Sequence, residues 1–232
     1  MIQVPPLKQV PYYPPLIDNF LNTVVFSDAD VVVTNKPTGL LSVPGIGEEK
    51  LDCALTRLAV HFGELHIVHR LDMATSGLLV FARHKEALKD LHKQFREGTV
   101  DKAYEAIVAG NVEQERLTID VPIGKDWVNR PLQKIDFRTG KPSKTELVVM
   151  RRESREGSDG TTQNATRVTL IPHTGRTHQL RLHMMHIKHP ILGDEWYGDK
   201  ASAPRLLLHA KQISFAHPVT RERLTFNSGP NF

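Results

Sequence analysis

The 232-residue chain carries a single cysteine, Cys53. One thiol cannot close an internal disulfide or build a multi-cysteine metal centre, so a cross-linked secreted scaffold and a zinc ribbon are both excluded. Long apolar runs are missing too, and nothing approaches the roughly 18 residues that a membrane-spanning helix needs. The first residues hold prolines and no basic segment followed by an apolar one, so no targeting peptide is expected. A cytoplasmic protein without a membrane partner is the economical expectation. A strong charge excess is also lacking, with 30 Lys and Arg against 26 Asp and Glu for a formal +4. That balance permits a nucleic-acid partner without requiring one, because the distribution of charge decides more than its sum. Repeats and low-complexity tracts are absent, and the length suits one catalytic domain.

Pro5, Pro6, Pro11, Pro14 and Pro15 make residues 1–20 an extended arm, pinned by Tyr12 and Tyr13, ahead of a single domain over residues 21–232. Val24-Val25-Phe26 and Val31-Val32-Val33 read as two strands about a turn. Leu51, Ala54, Leu55 and Leu58 recur at helical spacing and predict a helix over 51–61. A second helix carries Ala87, Leu88, Leu91 and Phe95 and stops at Gly98. Residues 102–110 are strand-like, with Tyr104, Ala106 and Val108 on one face. The basic, turn-rich stretch 120–145 includes Arg130 and is anchored by Trp127, Leu132, Ile135 and Phe137, so it reads as an ordered excursion. Residues 147–150 and 167–171 look like paired strands joined by a mobile polar tip over 151–163. Arg205–Ala210 reads as a buried strand and Leu224-Thr225-Phe226 as a last short one.

The stretch His69-Arg70-Leu71-Asp72-Met73-Ala74-Thr75-Ser76-Gly77 runs directly into Leu78-Leu79-Val80-Phe81. An irregular polar segment feeding a buried strand puts Asp72 beside the core, where a carboxylate must be paired, hydrogen-bonded or protonated. A structural aspartate capping its own loop through Thr75 or Ser76, and a nucleophile or general base, both satisfy that demand. Lys36 lies at the start of the breaker-rich run 35–45 and is expected to project from a fixed loop. A third cluster, residues 174–186, holds Arg176, His178, Gln179 and Arg181 on or beside a helix striped by Leu180, Met184 and Ile187. No acidic residue lies between Asp159 and Asp194, so the arginines there need an internal carboxylate or an RNA phosphate. His178, His183, His186 and His189 crowd together, but without nearby Asp or Glu they make a weak metal site, and no metal is expected.

The run His69–Gly77 resembles the central motif of the RluA family of pseudouridine synthases. Lys102-Ala103-Tyr104-Glu105-Ala106 is similar to that family's second motif, and Gly175-Arg176-Thr177-His178-Gln179-Leu180-Arg181 to its third. Leu206–Ala210 resembles its later core strand, so the likeness covers about residues 24–226. The resemblance implies an α+β fold: a mixed, mostly antiparallel, bent β-sheet flanked by helices and loops, with a central active-site cleft. It implies isomerisation of uridine to pseudouridine in structured RNA, with no cofactor. Asp72 takes the catalytic place, Tyr104 the place of a tyrosine that stacks on the target base, and Arg181 that of the arginine paired with the aspartate. Arg70 takes the place of the arginine that enters the RNA stack when the base leaves. His69, Thr75, Lys36, Arg176, His178, Gln179 and Arg130 are candidate substrate contacts. Within the family the likeness is greatest to a short member acting on both 23S ribosomal RNA and the transfer RNA anticodon stem-loop. It lacks the N-terminal S4-like RNA-binding domain of longer relatives, and a monomer without an obligate protein partner is expected. An enzyme restricted to one RNA class and a non-catalytic RNA-binding protein are the alternatives.

Overall fold

The computed structural model describes residues 12–156, 160 and 162–232. The first half of the chain forms β1 (Val24–Ser27), β2 (Val31–Lys36), α1 (Ala54–Phe62), β3 (His66–Ile67), β4 (Ser76–Ala82), α2 (Lys85–Glu97) and β5 (Asp101–Ala109). The second half forms β6 (Arg116–Asp120), β7 (Ile123–Lys125), β8 (Gln133–Ile135), β9 (Lys144–Glu156), β10 (Thr162–Pro172), α3 (Gln179–His186), β11 (Leu208–Ala216) and β12 (Arg223–Asn227). Two compact units divide these elements, residues 12–104 with 209–232, and residues 105–208.

In the first unit the order β1, β2, β4, β11 is antiparallel except for the parallel β4/β11 pair, and β12 pairs antiparallel with β11. All seven residues of β4 are buried, as its unbroken apolar run demands. Alternation sorts them. Leu78, Val80 and Ala82 join Val31 and Val33 against Ala87 and Leu91 of α2, while Leu79, Phe81 and Val32 pack against Ala54 and Leu58 of α1. Each helix therefore covers one face of the strand that leaves the Asp72 loop.

Helix α1 begins at Ala54 rather than Leu51, because Cys53 is extended and forms a reciprocal capping box with Thr56. Helix α2 ends where expected, with Gly98 in the left-handed conformation at φ 71°. Tyr12 pins the arm, donating to Asp52 O at 2.6 Å and accepting from Leu41 N, whereas Tyr13 points to solvent. Residues 1–11 of the arm lie outside the described residues. Asp28, Asp30 and His217 are, among the described residues, the grouping whose spacing would suit a metal. Their atoms already serve one another: Asp28 accepts from Asp30 N, Val31 N and His217, and His217 Nδ1 accepts from Thr220 N.

In the second unit β5, β10, β9 and β6 lie side by side, and β7 with β8 makes a separate hairpin. The polar stretch after Arg151 departs from the expected mobile tip. β9 runs on to Glu156 and pairs with β10 from Thr162, so the stretch is laddered strand on both sides of residues 157–161. Ion pairs along the ribbon, Arg151–Glu153 and Arg155–Glu153, accompany a charged strand that has no apolar face to read. No helix among the described residues is long and apolar enough to cross a membrane.

Candidate active site

The Asp72 loop is held at four backbone groups, Leu71 N, Leu71 O, Met73 O and Ala74 O, by the end of β2 and the segment that follows it. Ser42 Oγ donates to Leu71 O at 2.8 Å and accepts from Leu71 N at 3.1 Å. Met73 O accepts from Gly39 N at 2.9 Å and Lys36 Nζ at 3.2 Å, and Ala74 O accepts from Thr38 Oγ1 at 2.7 Å. Thr75 N closes the turn onto Asp72 O at 3.1 Å. A half-buried carboxylate thus sits on a loop whose conformation is set from outside, which is the preorganisation that a reacting group requires.

This geometry corrects the expectation for Lys36. Its side chain is fully buried and the ammonium also donates to Pro37 O and Leu40 O, both at 2.8 Å, so it ties the loop rather than meeting phosphate. Thr75 is likewise buried, within the turn and away from solvent. Ser76 Oγ meets His209 Nδ1 at 2.9 Å, and His209 Nε2 donates to Ser228 O, fixing the first residue of β4 to β11 and the tail. Gly77 has φ +115°, and a Cβ there would lie 2.5 Å from Ala210 N, so the parallel strands approach only because this residue lacks a side chain.

Tyr104, on β5, packs against the core cluster that includes Leu40, Leu71 and Leu79. Burial, and then the negative charge of Asp72, push its phenol well above the ordinary tyrosine range. His69 has a different duty from the expected RNA contact. Its ring stacks on Phe95 at 4.9 Å, its Nε2 accepts from Val80 N at 3.1 Å, and burial with the neighbouring Lys102 charge pushes its pKa down to about 3. A neutral acceptor serving the backbone is a structural histidine. Arg70 is exposed and makes no hydrogen bond or ion pair among the described residues.

The third motif belongs to the other unit. Arg181 donates through Nε and Nη2 to Asp194 at 2.8 and 2.7 Å, with both side chains buried. Asp194 Oδ1 also accepts from Trp196 N and Tyr197 N, and the guanidinium lies 4.8 and 5.2 Å from the Trp196 and Tyr197 ring centroids. Burial opposes ionisation of Asp194, but the Arg181 and backbone donors outweigh it and hold the carboxyl below its ordinary range. His178 precedes α3 at φ 56°, a left-handed conformation uncommon outside glycine, with its Nδ1 on Tyr197 OH at 2.7 Å and its ring 4.9 Å from Trp196. Tyr197 OH accepts in turn from Gln133 N at 2.9 Å.

Gln179 is buried and its amide is fully used: Oε1 accepts from Thr174 Oγ1 and Arg176 N, and Nε2 donates to Lys144 O and Thr145 Oγ1. It braces the loop rather than facing RNA. Arg176 is exposed, with its Nε on Pro142 O, and Arg130 lies over Trp127. Histidines of the suspected metal cluster bond protein groups: His183 meets Thr145 Oγ1 and Val121 O, and His189 meets Ala109 O. Thr38, Gly39, Ser42, Asp194, Trp196 and Tyr197 were missed in the sequence. Asp194 had a signal, since it closes the acid-free stretch; Thr38 and Ser42 had only their place in the breaker-rich loop.

Known proteins resemble this chain in sequence and in fold. A family model described as RNA pseudouridylate synthase matches residues 30–186. The dual-specificity RNA pseudouridine synthase RluA of Pasteurella multocida is 46% identical over 95% of this chain and 98% of its own. The like-named protein of Vibrio parahaemolyticus is 50% identical over 84% and 78%. Among solved structures, human RNA Pseudouridylate Synthase Domain Containing 1 superposes with a TM-score of 0.74 at 30% identity, covering 90% of this chain and 84% of that one. The motifs, the mostly antiparallel sheet and these likenesses together establish that the chain belongs to the RluA family of RNA pseudouridine synthases, enzymes that isomerise uridine within RNA.

Proposed function

We propose that this pseudouridine synthase has two substrates, a 23S ribosomal RNA hairpin and the transfer RNA anticodon stem-loop. The relatives named as dual-specificity enzymes support that reading through their identity along nearly the whole chain. It works in the cytoplasm as a monomer, with residues 21–232 acting as one catalytic domain; the family match, which runs from 30 to 186 through both compact units, supports this.

The reaction breaks the N1–C1′ glycosidic bond, turns the uracil, and joins C5 to C1′; the C5 proton is lost and N1 gains one. Asp72 supplies the carboxylate that works on the ribose, as nucleophile at C1′ or as base at the 2′ proton. Tyr104 stacks on the uracil. A phenol pushed up by burial and by Asp72 keeps its proton near neutral pH, which favours stacking over a role as phenolate base. Arg181, locked by Asp194, takes the place of the family's arginine that pairs with the catalytic aspartate. Exposed Arg70 fills the stack that the base leaves, offsetting part of the few kcal/mol of extrusion. The observation that carries the assignment is that Asp72 sits on a loop whose backbone is fixed from outside by Ser42, Lys36 and Thr38.

Release of tritium from C5 of labelled uridine tests it. Transcripts of each RNA class should release label with the wild type, and release from one class alone would remove the dual specificity. Asp72→Asn should abolish release while RNA affinity stays within a few-fold, and substantial turnover by that variant would reject the catalytic role.

A further inference from the structure

Two groups of cations stand out in the unit 105–208. Arg151, Arg152, Arg155, Arg167 and Arg181 each meet a carboxylate within 3.3 Å. Lys125, Arg130, Lys134, Arg138, Lys141 and Lys144, all within the excursion that β7 and β8 open, form no ion pair among the described residues. The two acidic residues between 121 and 145 both feel the charge of Lys134, but neither forms an ion pair with a cation of this group, and both turn their oxygens onto their own loops. Asp126 accepts from Val128 N, Asn129 N and Asn129 Nδ2, and Asp136 accepts from Arg138 N, Thr139 N and Thr139 Oγ1.

At the tip of this segment Trp127 is 56% exposed. Lys125 Nζ lies 5.1 Å and Arg130 Cζ 5.5 Å from its ring centroid. A large aromatic with that exposure forfeits most of its packing, whereas a stacking platform beside cations is what unpaired nucleic acid takes. The tip is also fixed. Asp126 N donates to Leu132 O at 3.1 Å, and Gln133 N reaches Tyr197 OH, the hydroxyl that holds His178 beside Arg181.

We propose that an unpaired base of the RNA, other than the uridine being isomerised, stacks on the indole of Trp127 while Lys125 and Arg130 neutralise the flanking phosphates. The hairpin then reads whether a loop is present and sets the distance from that base to the Arg181 motif through Gln133 and Tyr197. This rests on the chain's action on RNA, and the test separates the two.

Binding is measured by fluorescence anisotropy in the Asp72→Asn background, with two labelled probes: an RNA hairpin with an unpaired loop, and a fully paired RNA duplex of the same length. Trp127→Ala should weaken the hairpin about tenfold and the duplex less than twofold, and Trp127→Phe should stay within threefold of the parent on both. Lys125→Gln with Arg130→Gln should make the slope of log affinity against log salt shallower by about 1.4. The side chain is exposed, so thermal midpoints should not move. Hairpin affinity unchanged in Trp127→Ala, or an equal loss on the duplex, overturns the stacking role. If the wild type releases no tritium while Trp127→Ala still loses hairpin affinity, the isomerase reading fails and the stacking platform stands.

Discussion

Replacing Lys36 with methionine separates a residue that builds the site from one that touches RNA. The ammonium donates to Pro37 O and Leu40 O at 2.8 Å and to Met73 O at 3.2 Å, and the side chain has no solvent exposure. Methionine fills the space of the stem but orphans the carbonyls, and removing one side of a buried charged network costs about 3–5 kcal/mol. For a chain of this length that corresponds to a fall of roughly 6–20 °C in melting temperature. Met73 follows Asp72 directly, so a shift of about 1 Å in its carbonyl should lower kcat by roughly a hundredfold. Calorimetry and tritium release measure these two effects, and RNA affinity across a salt series supplies the third readout. A lysine on phosphate would contribute about 0.7–0.9 to the salt slope, whereas a buried one contributes nothing. A slope shallower by that amount with an unchanged melting temperature would show that Lys36 faces RNA and refute the reasoning.

Gly77→Ala should cost about 3 kcal/mol or more, because positive φ and a Cβ 2.5 Å from Ala210 N force β4 away from β11; a urea midpoint equivalent to less than about 1 kcal/mol of loss would mean the strands can part cheaply. Stability should also fall between pH 6.5 and pH 5. Burial pushes His69 down to about 3 and His183 down to about 4, so the unfolded chain takes up protons that the folded one refuses. Each histidine loses about 2 kcal/mol by pH 5, 1.5 pH units at 1.36 kcal/mol per unit. His183→Gln should halve the difference between urea unfolding at pH 8 and pH 5, and equal stability of the wild type at both would contradict the sign.

What the sequence made legible was the part encoded by local pattern. The three valines Val31–Val33 and the apolar run Leu78–Phe81 specified strands and Gly98 stopped α2, all from rules that act within a few residues. Asp72, Tyr104 and Arg181 were marked by the resemblance of three motifs to those of the family. Illegible were the groups that support them. Lys36 looked like a projecting cation since nothing in Asn35–Gly45 indicates that backbone carbonyls from three residues converge on one ammonium.

The same limit explains the arginines. An acid-free stretch demanded counter-charge for Arg167, Arg176 and Arg181, and sequence offered carboxylate and phosphate equally. Folding divides them: Arg167 reaches back 62 residues to Glu105 and Arg181 forward 13 to Asp194, both inside the protein, while Arg176 stays exposed. Burial is what sorts them, because a guanidinium removed from water must bring its own anion, whereas an exposed one can wait for a ligand. By that criterion the cations to test against RNA are the ones folding leaves without a carboxylate: Arg70 beside Asp72, Arg176, and the set around Trp127. The deeply buried members of the motifs shape the chemistry instead.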